Sequence, residues 1–197
     1  MSFKIILAVA AGVGIGYFAL PSHLLQYTDY ILDIGICLLL FFVGIDIGKH
    51  KDVFNTIKRI GFRVLLVPIM IIIGSIFGSV VAGFILGIPA NEAGAVGAGL
   101  GWYSLSSMML STYSSKLSAL AFISNVTREI IALLTIPLIA KYIGDVESVA
   151  PAGATSMDTS LPLIASSTNP HTAIIAFISG VILSTSVPIL VSVIIKL

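Results

Sequence analysis

The sequence predicts an all-α membrane protein: a polytopic helical bundle of about six or seven spans, at about 20 apolar residues per crossing plus short loops, with one or two discontinuous helices. Three observations predict it. Of the 197 residues, 57% are hydrophobic and only 10% are charged, where a soluble domain carries roughly 25% charge. Mean hydropathy is +1.12. Apolar runs of span length alternate with short turns rich in Pro, Gly and charge. Nine acids and ten bases cannot cover a soluble surface of this size. That excludes a cytosolic enzyme and a nucleic-acid module, and residues 1–197 are expected to form a single transmembrane domain set in the lipid bilayer.

The first run, residues 3–20, contains Gly12, Gly14 and Gly16. It reads as a span rather than a signal peptide, because Pro21-Ser22 is a poor small-x-small cleavage site and the chain that follows is itself membrane-spanning. Residues 30–47 return to Gly48-Lys49-His50-Lys51 and complete a hairpin. Cys37 inside this run is most simply a buried small hydrophobe, and a single Cys provides neither a disulfide framework nor a Cys-based zinc site. Residues 64–86 form the third run, ended by Gly87-Ile88-Pro89.

Residues 94–110 are different. Gly97, Gly99 and Gly101 precede Trp102-Tyr103-Ser104-Leu105-Ser106-Ser107. Each Gly costs about 1 kcal/mol against Ala in a helix, so three at alternate positions predict a break or a very close helix contact. Residues 117–140 read as a full span with Asn125, Arg128 and Glu129 near its middle. Residues 153–167 are the second irregular segment, too polar for lipid contact and short for a span. Residues 172–195 close the chain as an apolar helix with an expected kink at Pro188.

Orientation comes from the bases. Lys49, Lys51, Lys58, Arg59 and Arg63, half of all Lys and Arg, lie in one short loop, which the positive-inside rule makes cytoplasmic. The N-terminus then also lies inside, and the turns near Pro21 and Pro89 lie outside. Lys116 marks a further cytoplasmic turn if residues 94–112 cross completely. Residues 153–168 either cross as a broken helix or re-enter. A nucleic-acid role for the basic loop fails, since no aromatics interleave the bases.

An ionisable group in mid-membrane costs about 2.5 to 3.5 kcal/mol on insertion scales, so each one needs a reason. Glu129 is the strongest candidate for a functional group, with Asn125 one turn earlier on the same face. An ion pair with Arg128 is disfavoured, because adjacent helical residues do not face each other. Asp158 is second, in a Thr- and Ser-rich run bounded by Gly153 and Pro162; the alternative is a helix cap at an interfacial loop. Discontinuous helices of this kind place half-helix termini at the bilayer midplane. The stretch from Gly97 to Ser107 is its natural partner, and its glycines serve equally a break or small-residue helix packing. Ser104, Ser106, Thr155 and Ser156 are candidates for polar substrate contacts. Trp102 and Tyr103 form either an interfacial belt pair or an aromatic wall around an ammonium. Asp46, near the inner end of its span, is a candidate for a cation path or a solvated helix end, and Asp33 is its counterpart near the outer end. His23, His50 and His171 have no convergent metal spacing. No hydrolase elbow, HExxH helix or P-loop is present, so neither an enzyme nor a cofactor is expected, and gradient coupling is what remains.

Leu39-Leu40-Phe41-Phe42-Val43-Gly44-Ile45, Gly101-Trp102-Tyr103-Ser104-Leu105-Ser106, Arg128-Glu129-Ile130-Ile131-Ala132 with Pro137, and Gly153-Ala154-Thr155-Ser156-Met157-Asp158 with Leu161-Pro162 resemble, in order and approximate spacing, the LysO lysine exporter family. The resemblance covers essentially the whole chain. It implies secondary active export of L-lysine and its analogue thialysine across a bacterial or archaeal cytoplasmic (inner) membrane by antiport with protons. It also implies that Glu129 and Asp158 bind the substrate ammonium or the proton, and that hydroxyls of the two small-polar segments bind the amino-acid head group. Longer members carry an additional N-terminal module, so a homodimer or a small separately encoded membrane partner is expected. The competing expectations are a cation/proton antiporter, an organic-anion carrier, and a non-transporting membrane subunit.

Overall fold

In the computed structural model the described residues run from Arg63 to Leu197, with Ala11, Gly14, Ile15, Gly16, Ile34, Leu38, Phe41 and Ile45 as isolated helical positions before them. Asp33, Asp46, Cys37, His23, His50 and the basic loop ahead of Arg63 lie outside the described residues.

Helix α1 (Arg63–Leu86) has 24 residues, about 36 Å at 1.5 Å per residue, which exceeds the roughly 30 Å hydrocarbon core. It ends where the Gly-Ile-Pro signal places the stop: the Ile88 N–H donates to the Gly83 carbonyl at 2.8 Å, the longer bond of a Schellman motif. Helices α2 (Ala90–Gly97) and α3 (Tyr103–Ser111) follow, then α4 (Ser115–Tyr142). Two 3-10 turns, Glu147–Val149 and Gly153–Met157, lead to α5 (Leu161–Ser167) and α6 (Pro170–Ile194). Among the described residues all regular elements are helical, and α1, α4 and α6 are the three long and apolar enough to cross a membrane. Helix α6 continues through Pro188. It is the central post, with 50% of its apolar window buried against 17% for α1.

The two irregular segments are hairpins that dip into the bundle and return. With 8 and 9 residues, α2 and α3 are each about 12 to 14 Å long, less than half a crossing. The Asn91 amide donates to the Ile195 carbonyl at 3.4 Å, and Ser114 and Lys116 share a cavity wall with Leu86, Pro89 and Glu92. The start of α2, the end of α3 and the C-terminal ends of α1 and α6 therefore lie on one face of the bundle. At the opposite face the Asn169 amide donates to the Asp145 carboxylate at 2.5 Å, which brings the loop after α4 back to the start of α6. Residues 153–168 therefore re-enter rather than cross. Residues 94–112 do not cross completely either, so the condition that would make Lys116 a cytoplasmic turn is not met. Lys116 shares its face with the Pro89 turn, because two short helices cannot reach the other side.

Small residues allow this packing. A Cβ on Gly97 would stand 2.9 Å from the Ser75 carbonyl of α1, and one on Gly180 of α6 would stand 2.5 Å from the Met157 nitrogen. Around these contacts Leu100, Ile136, Ile164 and Leu183 are fully buried in a shared apolar core.

Candidate functional site

The hairpin tips meet at mid-depth, where the Ala154 N–H of the second donates to the Leu100 carbonyl of the first at 2.8 Å. Both tips use left-handed backbone. Leu100 has φ 49° and Gly101 φ 98°, and Gly153 has φ 61°. For a residue with a Cβ this region costs roughly 1 to 2 kcal/mol, so Leu100 is held there by its surroundings: it is fully buried, and its carbonyl is engaged by Ala154.

Interrupted helices free backbone donors and acceptors that lipid cannot satisfy. Helix α4 supplies partners to both hairpins. Asn125 accepts from the Gly101 N–H at 2.8 Å and donates to the Val96 carbonyl at 3.2 Å, besides bonding its own helix at Ala121. One turn on, Arg128 donates through Nε to the Pro151 carbonyl at 3.1 Å and through Nη2 to the Ala150 carbonyl at 3.3 Å. Asn125 therefore braces the first hairpin and Arg128 the second. Glu129 turns into the space between them.

That space is a cavity of about 250 Å³ lined by Gly101, Trp102, Tyr103, Ser104, Glu129, Ala154, Thr155, Met157, Asp158, Thr159 and Ser184. It lies just below the roughly 300 to 1,000 Å³ of small-molecule pockets. Its floor is tied together by one residue. Thr159 Oγ1 donates to Glu129 Oε1 at 2.7 Å and lies 3.4 Å from Asp158 Oδ1, while the Thr159 N–H donates to that same Asp158 oxygen at 2.6 Å. Each carboxylate has about four acceptor positions, so both keep lone pairs free for a cationic donor. Among the described residues no Lys, Arg or His lines the cavity.

Opposite the acids stands the start of α3. Its N-cap, Trp102, makes no side-chain capping bond; the Tyr103 N–H is taken by the Gly101 carbonyl at 3.0 Å, which leaves the next N–H groups of the first turn and the positive end of the helix dipole for an anionic group. Tyr103 is held edge-on against Phe122 of α4, ring centres 5.4 Å apart at 85°.

Of the residues singled out from the sequence, Glu129, Asp158, Ser104, Thr155, Trp102 and Tyr103 meet at this cavity. Asn125, Ser106 and Ser156 stand behind its wall, buried and bonded to backbone. Ser106 Oγ donates to the Trp102 carbonyl at 2.8 Å, and Ser156 Oγ bonds the Gly153 and Ala176 carbonyls, both at 2.8 Å. Asp46 lies outside the described residues. Sequence reasoning passed over Thr159, Met157 and Ser184 as lining residues. The available signals were a hydroxyl directly after a mid-membrane acid and the small-x-x-x-small spacing of Gly180 and Ser184 in an otherwise apolar helix. Ser184 Oγ donates to the Gly180 carbonyl at 2.8 Å and lies 3.5 Å from Met157 Sδ.

Three long apolar helices around two re-entrant hairpins, whose tips enclose an acidic cavity, define a helical membrane protein with an internal polar site, the class that contains secondary transporters. Within that class the chain belongs to the lysine exporter LysO family, whose model matches residues 6–195. A relative from Escherichia coli strain K12 named lysine exporter LysO is 31% identical over 190 residues, which are 95% of this chain and 61% of the relative. A relative from Haemophilus influenzae named putative lysine exporter is 29% identical over 153 residues, 77% of each chain. The chain thus spans 61% of the length of the Escherichia coli protein it matches. No solved structure matches.

Proposed function

We propose that residues 1–197 act as one transmembrane transporter domain that exports L-lysine, and thialysine by the same route, as a secondary active carrier in a bacterial cytoplasmic membrane. Family membership and the names of both relatives support the substrate. The observation that carries the reading is that two carboxylates, joined through the hydroxyl and the N–H of Thr159, line one cavity with the start of α3. Lysine bears two ammonium groups and a carboxylate, so its recognition needs acids at one end and helix N–H donors or hydroxyls at the other.

In this mechanism Glu129 and Asp158 take an ammonium, Thr159 holds the two acids in register, and the first turn of α3 with Ser104 takes the α-carboxylate. Trp102 and Tyr103 flank the aliphatic stem, and Thr155 completes the polar floor. A proton on one of the acids removes the charge that holds the ammonium, so proton and lysine compete for the same oxygens. That competition is the physical basis of antiport.

The test is export of labelled lysine from proteoliposomes with and without an imposed pH gradient, using the chain alone, as a homodimer, and with any small membrane protein encoded beside it. The reading expects gradient-dependent efflux that both Glu129→Gln and Asp158→Asn abolish. Unchanged efflux in both variants overturns the site. Efflux of sodium in place of lysine overturns the substrate.

A further inference from the structure

The hydrogen bonds at the back of the cavity do not stop at Arg128. Its third donor, Nη1, bonds Ser75 Oγ of α1 at 2.8 Å. The Ser75 hydroxyl in turn donates to the Gly97 carbonyl at 2.8 Å. Gly97 is the last residue of α2, at the edge of the first interruption, and Pro151 and Ala150 lead into the second. One continuous chain of polar contacts therefore runs from the broken end of the first hairpin through Ser75 and Arg128 to the second hairpin. It passes behind the cavity, and none of its members is among the cavity's lining residues.

We propose that Ser75 and Arg128 form a positioning strut that couples the two hairpins, so that the tip carrying Asp158 keeps its register against Glu129 and the start of α3. Three features carry this. Ser75 has one proton and gives it to Gly97, so it meets Arg128 only as an acceptor; the pair works as a directed relay rather than as two interchangeable contacts. The planar guanidinium holds three acceptors on two different elements at once, which an ammonium on a flexible stem does not reproduce. Space for it is reserved: a Cβ on Gly153 would lie 2.9 Å from Nη2. The strut has no contact with substrate, so its effect on transport is exerted through the backbone of the two tips. In that respect it rests on the lysine reading of the cavity, whereas the mechanical coupling itself does not.

The experiment uses the shape-matched variants Ser75→Thr and Ser75→Val in the full chain, which differ at this position only by a hydroxyl. Hydrogen exchange is followed by mass spectrometry over residues 97–104 and 150–160, alongside equilibrium binding of labelled lysine. The strut predicts that Ser75→Val, which removes both the acceptor for Arg128 and the donor to Gly97, speeds exchange in both segments together and weakens lysine binding at least about tenfold, while Ser75→Thr restores both. A second arm compares Arg128→Lys with Arg128→Gln, and the double variant Ser75→Val with Arg128→Gln is expected to be no worse than Arg128→Gln alone. Equal exchange in the Thr and Val variants, or fully additive losses in the double variant, overturns the strut. A wild-type chain that binds no lysine overturns the functional reading, and the exchange comparison still decides the strut.

Discussion

At the scale of single residues, the site depends on one hydroxyl and one glycine as much as on its two acids. Among the described residues Thr159 ties the two carboxylates together, its hydroxyl donating to Glu129 and its N–H to Asp158. Its replacement in Thr159→Val keeps the shape and removes a bond contributing about 0.5 to 1.5 kcal/mol. Lysine affinity is therefore expected to fall by up to about tenfold in a direct binding measurement, with little change in thermal stability. Gly153→Ala has the opposite signature. Its φ of 61° and the Leu100 carbonyl and Arg128 guanidinium that crowd the missing Cβ predict a loss of at least about 1 to 2 kcal/mol, visible as a lower Tm. Gly78→Ala in α1 meets nothing within 4 Å and is expected to hold or raise the Tm, since Ala is favoured in a helix by about 1 kcal/mol.

At the scale of elements, α4 carries the local sequence that makes both interruptions possible. Asn125, Arg128 and Glu129 occupy positions i, i+3 and i+4, so they project from neighbouring parts of one helical face, and each serves a different part of the site. Asn125→Ala orphans the Gly101 N–H at about 1 to 3 kcal/mol, while the Val96 carbonyl keeps only its bond from the Gly99 N–H. The expected outcome is a destabilised protein with impaired export, although the residue does not line the cavity; thermal unfolding together with efflux checks it. The start of α6 behaves more mildly. Asn169 accepts from the Thr172 N–H at 3.0 Å as an N-cap and also reaches Asp145, so Asn169→Ala is expected to cost about 1 kcal/mol.

At the scale of the whole molecule, the two hairpins enter from opposite faces, each following a long helix, α1 or α4. This is the arrangement of inverted repeats, in which unwound segments meet near the midplane. It makes a labelling prediction. In a Cys37→Ala background, thiols introduced at the exposed positions Ser114 and Leu197 react with an impermeant reagent from one side of the membrane, and a thiol at the exposed position Glu147 reacts from the other. Labelling of Ser114→Cys and Glu147→Cys from the same side would contradict the hairpin topology.

Much of this was legible in the sequence, because the bilayer imposes strict rules on composition. Apolar length marked α1, α4 and α6; Gly, Ser and Thr clusters marked the two interruptions; and the cost of charge in lipid singled out Glu129 and Asp158. None of those signals carries information on direction. Whether residues 94–112 and 153–168 cross or return depends on contacts between distant positions, such as Asn91 with Ile195 and Asp145 with Asn169, which no local pattern encodes. The same holds for roles. Asn125 and Thr159 are both polar groups beside a mid-membrane acid, and only the packed tips assign one to the backbone and the other to the cavity. The sequence by itself determined that polar chemistry sits inside an apolar chain and which residues bear it, since solvation energy is a property of each side chain. Only the tertiary structure decided which of those residues meet, since the bonds that satisfy an interrupted helix are made by another helix.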